Sequence, residues 1–254
     1  IKEYWDLSFK HVTGDSEETN KQKLKTLLEK VTKQRMISDV PLGAFLSGGV
    51  DSSGVVAMMA EASDTPVKTC TIGFDNKAFN EADFAREIAE KYHTEHHEFT
   101  VHQNVAEQLE HIASFFDEPF ADPSLVPTYF VSELARQKVT VAVAGDGGDE
   151  VFAGYEKYAI DYQENKFRAK FPKWLRTSIF PSLAKVAGSV NINICQRAKS
   201  LLTSLSVDPA MGFYITNSFI SDQQWFSLVN DKVDSELSDY HPSQQTIEQY
   251  NKAD

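Results

Sequence analysis

The sequence has few cysteines, no long apolar run and no excess of positive charge. Its two cysteines, Cys70 and Cys195, lie far apart and match neither a metal-binding nor a redox spacing. We therefore expect reduced thiols and a cytoplasmic protein. No uninterrupted apolar stretch approaches the roughly 18 residues that a membrane span needs. The first residues do not resemble a signal peptide, so we do not expect a membrane partner.

The charge balance is acidic. The chain has 25 Lys and Arg against 37 Asp and Glu, a formal net charge of −12 with neutral histidines. Binding to nucleic acid phosphates needs clustered basic side chains, so we do not expect a nucleic acid partner. With 41% hydrophobic and 24% charged residues in a chain of 254, the composition is that of an ordinary globular protein and excludes disorder, collagen and coiled coil.

Apolar runs and amphipathic patterns alternate in the first part of the chain. A doubly covered parallel sheet is the usual result of such alternation, so we predict an α/β fold with helices on both faces of the sheet. Over 21–36 the helical spacing of Leu24, Leu27, Leu28 and Val31 predicts an apolar face that packs inward. In the helix after Asn80 the corresponding face holds Phe84, Ile88 and Tyr92. The predicted strands are 40–46, 67–74, 95–101 and 139–144, and further helices are predicted after residue 52, over 104–116 and over 125–136.

The alternation ends near residue 151, and helical patterns with irregular polar segments follow. We therefore predict an α/β domain over 1–160 and a mainly helical extension over 161–254. In open parallel sheets ligands bind at the carboxyl ends of the strands, beside the point where the strand order reverses. Two glycine-rich turns follow predicted strands and are therefore candidates for a binding site.

The first turn runs from Leu46 through Ser47, Gly48 and Gly49 to Asp51 and Ser52. Two glycines let the backbone approach a ligand closely, and the following helix offers unpaired N–H groups to an anion. The turn has neither the Lys of a Walker loop nor the glycine spacing of dinucleotide folds. A carboxylate beside phosphate oxygens is repulsive unless a divalent cation lies between them, so Asp51 predicts a nucleotide with Mg²⁺. A simple helix N-terminal turn is the alternative.

The second turn, 144–150, holds three glycines and three carboxylates, among them Asp146 and Asp149, at the end of a predicted strand. A structural turn rarely needs so many acidic side chains. Their mutual repulsion is relieved by a metal ion or by a cationic substrate group such as an ammonium.

The two turns carry a resemblance to a known family. The segment 47–53 resembles the pyrophosphate loop of ATP pyrophosphatases, the PP-loop superfamily, and 145–155 resembles the matching segment of the asparagine synthetase (glutamine-hydrolysing) family. The similarity extends from about residue 4 through the second turn and includes the loop 117–123. It is weaker afterwards, although 208–228 still resembles the helical region of the family. It implies an adenine nucleotide α-hydrolase-like fold.

The resemblance also implies roles for individual residues. It implies ATP and Mg²⁺ as cofactors, with metal and pyrophosphate contacts at Asp51 and Asp149 and a catalytic role for Asp146, where the best-known members have a glutamate. The residues that it assigns to ATP are Leu46, Ser47, Gly48, Gly49, Asp51, Ser52, Ile72, Ala144 and Gly145.

The implied activity is amide formation. A substrate carboxylate, aspartate by default, attacks the α-phosphorus of ATP, pyrophosphate leaves, and ammonia then displaces AMP. Positioning and charge neutralisation would supply the catalysis. Two alternatives stay open: an amidotransferase acting on a sugar acid or another carboxylate, and a non-catalytic nucleotide-binding or interaction module of the same fold.

The resemblance further implies parts that this sequence does not contain. Members of the family carry an N-terminal glutaminase domain with a cysteine nucleophile, which supplies the ammonia, and they continue into a segment with an Arg-Pro-Phe-Leu-Asp-like motif and a lysine near the phosphates. The sequence begins at Ile1 and reaches Asp254 without them. We therefore expect an excised or truncated synthetase domain of low activity, and a homodimer is compatible with this interpretation.

Three weaker patterns allow two interpretations each. The group of His93, Glu95, His96, His97, Glu98 and His102 looks like a metal site, but adjacent strand residues point to opposite faces, so we favour a structural role. The loop 117–123 is either a wall of the substrate pocket or scaffold. The segment 165–207 has eight basic and no acidic residues, which suits an anionic membrane or an acidic partner; we favour a solvated helix face that covers its own core.

Overall fold

The computed structural model describes most of the chain. The described residues are 2, 4–5, 8, 13–74, 80–101, 105–118, 120, 122–229, 231–237 and 240–253, with the backbone alone at 105–106, 222–223, 226, 231 and 234. The chain forms two compact units. One is Asp15–Ala153, and the other comprises Ile1–Gly14 and Gly154–Asp254.

The first unit is built on a parallel sheet of four strands, β1 Leu42–Phe45, β2 Lys68–Phe74, β3 Glu95–Val101 and β4 Val141–Val143. Their order is β3-β2-β1-β4, and every pair of neighbours is parallel. The predicted fold class, a parallel sheet with helices followed by a mainly helical region, is confirmed. The helices of this unit are α1 Glu17–Arg35, α2 Val50–Ala62, α3 Ala82–Lys91, α4 Val105–Ala113, α5 Leu125–Ala135 and α6 Gly148–Phe152.

Side chains of alternate strand residues fill a separate core on each face of the sheet. Ala44 of β1 is fully buried with Val56 and Met59 of α2 and with Ala85 of α3. On the opposite face Phe45 packs in a cluster with Cys70, Ala135 and Val139. Successive strand residues point to opposite faces, so a sheet buried on both sides produces continuous apolar runs such as 42–46. Burial also raises the pKa of the Cys70 thiol.

Three details differ from the sequence predictions. In α1, Leu24, Leu27 and Val31 are exposed instead of inward, and Thr32 is the buried residue, its hydroxyl 3.9 Å from the sulfur of Met58. In α3, Phe84 is 63% exposed, because Ala82, Ala85 and Ala89 are the buried residues. Ile88 of the predicted face is half-buried and packs against the first core. The helix after the first turn begins at Val50 with Gly49 as its N-cap, not at the serines, and β4 has three residues where 139–144 was predicted.

The second unit is helical over most of its described residues. No helix among the described residues combines the length and the hydropathy that a membrane span requires. Its core includes the buried Phe180, Ala184, Leu205 and Ala210. Its helices are α7 Glu156–Arg168, α8 Lys173–Ser178, α9 Phe180–Gly188, α10 Asn193–Ser206, α11 Pro209–Asn217, α12 Asp222–Leu228, α13 Asp231–Glu236 and α14 Ser243–Lys252.

Buried polar side chains connect several of these helices. Arg168 of α7 donates to the carbonyl and hydroxyl oxygens of Ser204 in α10, at 3.0 and 3.3 Å, and to the side-chain oxygen of Asn165. The hydroxyl of Ser204 in turn donates to Glu164. Burial lowers the pKa of Arg168, and the carboxylates of Glu164 and Asp161 oppose that effect.

Candidate functional site

The strand order of the first unit places two turns at the same edge of the sheet. β1 is paired with β2 on one side and with β4 on the other, so the direction of strand addition reverses between β1 and β4. The turn 46–49 follows β1 and the turn 144–147 follows β4. Because parallel strands have their carboxyl ends at one edge, both predicted turns lie at this reversal point, where open α/β sheets bind ligands.

The first turn is held by a short network of hydroxyl groups. The Ser47 and Ser52 side-chain oxygens are 2.9 Å apart, and the Ser52 hydroxyl accepts from the Ser47 backbone N–H at 3.3 Å. The Gly49 N–H donates to the Ser47 hydroxyl oxygen at 3.2 Å. The buried Leu46 anchors the turn, since its N–H donates to the Cys70 carbonyl of β2 at 3.0 Å. This network fixes the turn ahead of the first turn of α2, where backbone N–H groups lack partners within the helix.

Gly48 is required by both its backbone angle and its surroundings. Its φ is +82°, in the left-handed region that glycine adopts freely. A β-carbon on Gly48 would lie 2.5 Å from the β-carbon of Phe84 and 2.7 Å from the backbone nitrogen of Ala85. The first turn therefore rests directly on the first helical residues of α3. The exposed Phe84 therefore supports the first turn, a role that its position in the helical pattern does not reveal.

The second turn closes against the first through Gly145. A β-carbon on Gly145 would lie 2.7 Å from the backbone nitrogen of Ser52 and 3.0 Å from the carbonyl carbon of Asp51. The turn itself is tight, with a φ of +87° at Gly147 and a hydrogen bond of 3.2 Å from the Gly148 N–H to the Gly145 carbonyl. Backbone meets backbone here, so no side-chain adjustment could accommodate a larger residue.

Gly148 makes the second contact between the turns. A β-carbon at this position would overlap the Asp51 side chain, and both carboxylate oxygens would be within 2.7 Å of it. The second turn therefore covers the Asp51 carboxylate. The resemblance does not single out Gly148 as a site residue; the sequence signal for it is the run of three glycines among three carboxylates.

The described contacts unite Ser47, Gly49, Asp51, Ser52 and Gly145 from the predicted set. The positions of the other predicted site residues are given by the strands and turns in which they lie. Ile72 is half-buried in β2, beside Thr71, whose hydroxyl donates to the Leu46 carbonyl. Ala144 is half-buried directly after β4; Asp146 is exposed in the second turn, and Asp149 lies half-buried in the first turn of α6. Among the described residues no three His, Cys, Asp or Glu side chains form a group that could hold a metal ion by themselves.

The histidine-rich segment has structural contacts instead. His96 Nδ1 is 2.9 Å from the Thr69 hydroxyl, and His97 Nε2 is 3.1 Å from a Glu95 carboxylate oxygen. Glu98 accepts two hydrogen bonds from Arg86, at 3.0 and 2.9 Å. His102 lies outside the described residues, as do residues 119 and 121 of the loop 117–123. In that loop the Ser124 N–H donates to Asp122 at 2.8 Å, and this bond lowers the pKa of the Asp122 carboxyl.

Comparison with known proteins identifies the family of the chain. The family model for asparagine synthase matches residues 23–246 of the chain. The chain belongs to the asparagine synthase family. It is 40% identical over 199 residues to the putative asparagine synthetase [glutamine-hydrolyzing] 2 of Methanocaldococcus jannaschii, covering 77% of this chain and 38% of that protein. It is 33% identical over 224 residues to asparagine synthetase [glutamine-hydrolyzing] 1 of Bacillus subtilis, covering 88% of this chain.

The chain thus corresponds to a part of these family members, since it spans 38% and 34% of their lengths. Among solved structures, it is similar to the NH3-dependent NAD synthetase of Campylobacter jejuni at 14% identity and a TM-score of 0.38. That similarity covers 79% of this chain and 98% of the synthetase.

Proposed function

We propose that this chain is the synthetase part of an enzyme that forms an amide from a carboxylate and ammonia at the expense of ATP. The observation that carries the proposal is the closure of the second turn on Asp51 and Ser52 through Gly145 and Gly148. Two glycine turns, 94 residues apart at Asp51 and Gly145, thereby form one acidic cradle at the reversal point of a parallel sheet. Family membership supports the same chemistry.

In this proposal each candidate residue has a defined task. The turn Ser47–Ser52 and the N–H groups at the start of α2 hold the phosphates, while Leu46, Ile72, Ala144 and Gly145 contact the nucleoside. Asp51 and Asp149 would hold Mg²⁺, which prefers one or two carboxylates together with phosphate oxygens and supplies charge neutralisation at the leaving pyrophosphate. The cradle fits this donor set. Gly148 covers Asp51 and has no β-carbon, so it leaves room for the Asp51 carboxylate.

The proposed reaction has two steps, adenylation and amide formation. An oxygen of the substrate carboxylate forms a bond to the α-phosphorus of ATP, and the bond to the departing pyrophosphate breaks. The nitrogen of ammonia then attacks the carbonyl carbon of the acyl-adenylate, and AMP leaves with the bonding electron pair. In this proposal the carboxylate of Asp146, which is exposed in the second turn, takes the proton that the ammonia nitrogen loses once it has bonded to the carbonyl carbon. Aspartate is the proposed substrate, and asparagine the product.

The substitution Asp51→Asn tests the cation bridge. Without Mg²⁺ the variant should bind ATP as well as or better than the parent, because a charge that repels the phosphates is gone. With Mg²⁺ it should bind ATP at least about tenfold more weakly, because a metal ligand is missing. Isothermal titration with ATP in the presence and absence of Mg²⁺ measures both changes. Asp64→Asn, at an exposed carboxylate outside the site, is the matched control.

A substrate panel tests the chemistry itself. Exchange of labelled pyrophosphate into ATP reports adenylation before any ammonia reacts, so it does not require the glutaminase activity. Exchange that depends on aspartate and is lost in Asp51→Asn supports the proposal. Exchange that depends on a sugar acid instead would contradict aspartate as the substrate. Because we expect low activity of the chain alone, the panel is measured with the full-length protein. Tight binding of Mg–ATP by that protein without exchange for any carboxylate would contradict the synthetase function as a whole.

A further inference from the structure

Helices α9 and α10 pack together as a hairpin whose connection, residues 189–192, exposes apolar side chains. The inner side of α9 is buried through Phe180 and Ala184. The apolar residues around the connection face outward instead. Their exposed fractions are 67% for Val186, 40% for Val190, 57% for Ile192 and 74% for Ile194. We call these four residues the hairpin tip. Because all four lie in or next to one connection, they differ from the isolated apolar residues that are common on protein surfaces.

The backbone of the tip has partners within the hairpin. The Ser189 hydroxyl donates to the Val186 carbonyl at 2.7 Å, and the Gln196 side chain donates to the Val190 carbonyl at 3.1 Å. The Ile192 carbonyl accepts from the backbone N–H groups of Cys195 and Gln196, at 2.9 and 3.0 Å. A turn that satisfies its own carbonyl groups loses less free energy on leaving water than an open loop does.

Three cations flank the tip along α9 and α10. Lys185 lies one residue before Val186, and Arg197 and Lys199 lie in the first half of α10; all three are exposed. The aliphatic stem of Lys199 passes over Gly188, where a β-carbon would lie 2.9 Å from its Cδ. Among the residues that the structure describes, none of the three has an ion-pair partner. We call Lys185, Arg197 and Lys199 the basic collar.

The remaining charges of the segment strengthen this pattern. No acidic residue occurs in 165–207. Four of its eight basic residues have partners inside the unit. Arg168 bonds to Ser204, and Arg176 donates to the Leu205 carbonyl at 3.0 Å. Lys166 and Lys170 lie over the rings of aromatic neighbours on α7. The sequence favours a helix face that covers its own core, and these two arginines and Phe180 fit that interpretation. The tip and its collar do not, because their side chains point away from the core.

We propose that the tip docks this protein on an anionic membrane surface. Val186, Val190, Ile192 and Ile194 enter the boundary between headgroups and acyl chains, and the basic collar contacts the lipid phosphates. A lipid surface suits this arrangement better than an acidic protein does, because the apolar groups project from a turn between two helices. A turn can enter a lipid surface directly, whereas a protein partner would need a matching apolar cavity.

Vesicle flotation with the full chain tests the proposal. The chain should float with mixed phosphatidylcholine–phosphatidylserine vesicles and stay unbound with pure phosphatidylcholine. Ile194→Ser should weaken the partition about tenfold, because it removes an apolar side chain from the lipid boundary. Lys199→Gln and Lys185→Gln should each weaken it about fivefold through the lost cation. Ile37→Ser and Lys33→Gln, at exposed positions in the other unit, are the matched controls and should bind as the parent does.

A second measurement separates insertion from simple charge attraction. The parent contains Trp5, Trp174 and Trp225, so its emission is the reference. The emission of the variant Ile192→Trp should shift further to the blue than that of the parent when phosphatidylserine vesicles are added. Flotation that depends on the collar but not on Ile194, without a blue shift, would indicate adsorption on any acidic surface and would overturn the proposal. Equal flotation with both kinds of vesicle, or none with either, would overturn it as well.

Discussion

Gly145 packs against the start of α2 and Gly54 lies within that helix, but the space around the two glycines differs. A β-carbon on Gly145 would meet the backbone of Ser52 and Asp51, whereas one on Gly54, inside α2, would meet nothing within 4 Å. We expect Gly145→Ala to destabilise the protein by about 1–3 kcal/mol and to abolish ATP binding, because the second turn can no longer close.

Gly54→Ala is the matched control for that change. It should stabilise the protein by about 0.5–1 kcal/mol, since alanine loses less backbone entropy in a helix than glycine does. Urea unfolding and nucleotide titration measure both variants. Full ATP binding by Gly145→Ala would show that the contact between the turns has no bearing on the site.

His96 should contribute a pH dependence to the stability of the sheet. Burial lowers its pKa from the ordinary value of 6.5, an effect that Glu98 opposes and that Arg86 and His97 reinforce. The unfolded chain therefore takes up a proton near pH 6.5 that the folded chain does not take up. The free energy of unfolding should decrease as the pH falls below about 6.5, down to the pKa of the folded state.

The substitution His96→Gln removes that proton uptake. Urea unfolding at about pH 7.5 and about pH 5.5 should show a smaller loss of stability on acidification in the variant than in the parent. An NMR titration of the parent gives an independent value for His96. A His96 resonance that titrates at or above about pH 6.5 would contradict the argument.

At the scale of elements, α14 is attached to α7 by a group of three polar side chains. The Tyr250 hydroxyl donates to an Asp161 carboxylate oxygen at 3.1 Å and accepts from the Asn165 side chain at 2.8 Å. Tyr250→Phe removes both bonds and should cost about 1–2 kcal/mol. Hydrogen exchange should accelerate in α14 more than in α10. Tyr162→Phe, at an exposed tyrosine of α7, should leave both rates unchanged; equal acceleration in the two variants would exclude this role for Tyr250.

The same scale shows why sequence patterns predict some elements better than others. The strands 67–74 and 95–101 were predicted almost to the residue. The first is rich in apolar and β-branched residues, whereas the second begins with four polar residues and was predicted from its place in the alternation of strands and helices. The predicted inward face of α1 was not the one observed. A helix with scattered leucines has several possible apolar faces, and the element that packs against the helix determines which of them is buried. Thr32, a polar residue, lies against α2 because it can contact Met58.

In the candidate site, too, some features follow from local sequence patterns and others only from tertiary packing. Its residue types could be predicted, because glycines and carboxylates that follow strands have few structural uses. The contact of Gly148 and Gly145 with Asp51 could not, because it depends on β4 lying beside β1, and nothing in a local pattern specifies that order. The prediction that Phe84 packs in the core also failed because it used the local pattern alone. The contact of Phe84 with Gly48 forms only when α3 packs against the sheet.

At the scale of the whole molecule, residues 15–153 should fold and bind nucleotide without the remainder of the chain. The four strands, both apolar clusters and both glycine turns belong to this unit. Its length of about 140 residues is typical of a domain with its own core. We expect a single cooperative thermal transition and an affinity for Mg–ATP within a few-fold of that of the full chain.

Circular dichroism and isothermal titration of residues 15–153 test this expectation. Asp51→Asn in the same segment is the control, and it should keep the thermal transition while losing Mg–ATP affinity. A segment that melts without cooperativity would show that the helical unit is needed for folding. One that folds but does not bind Mg–ATP would show instead that residues beyond Ala153 complete the nucleotide site. In the second outcome the two turns around Asp51 would not suffice as a binding site.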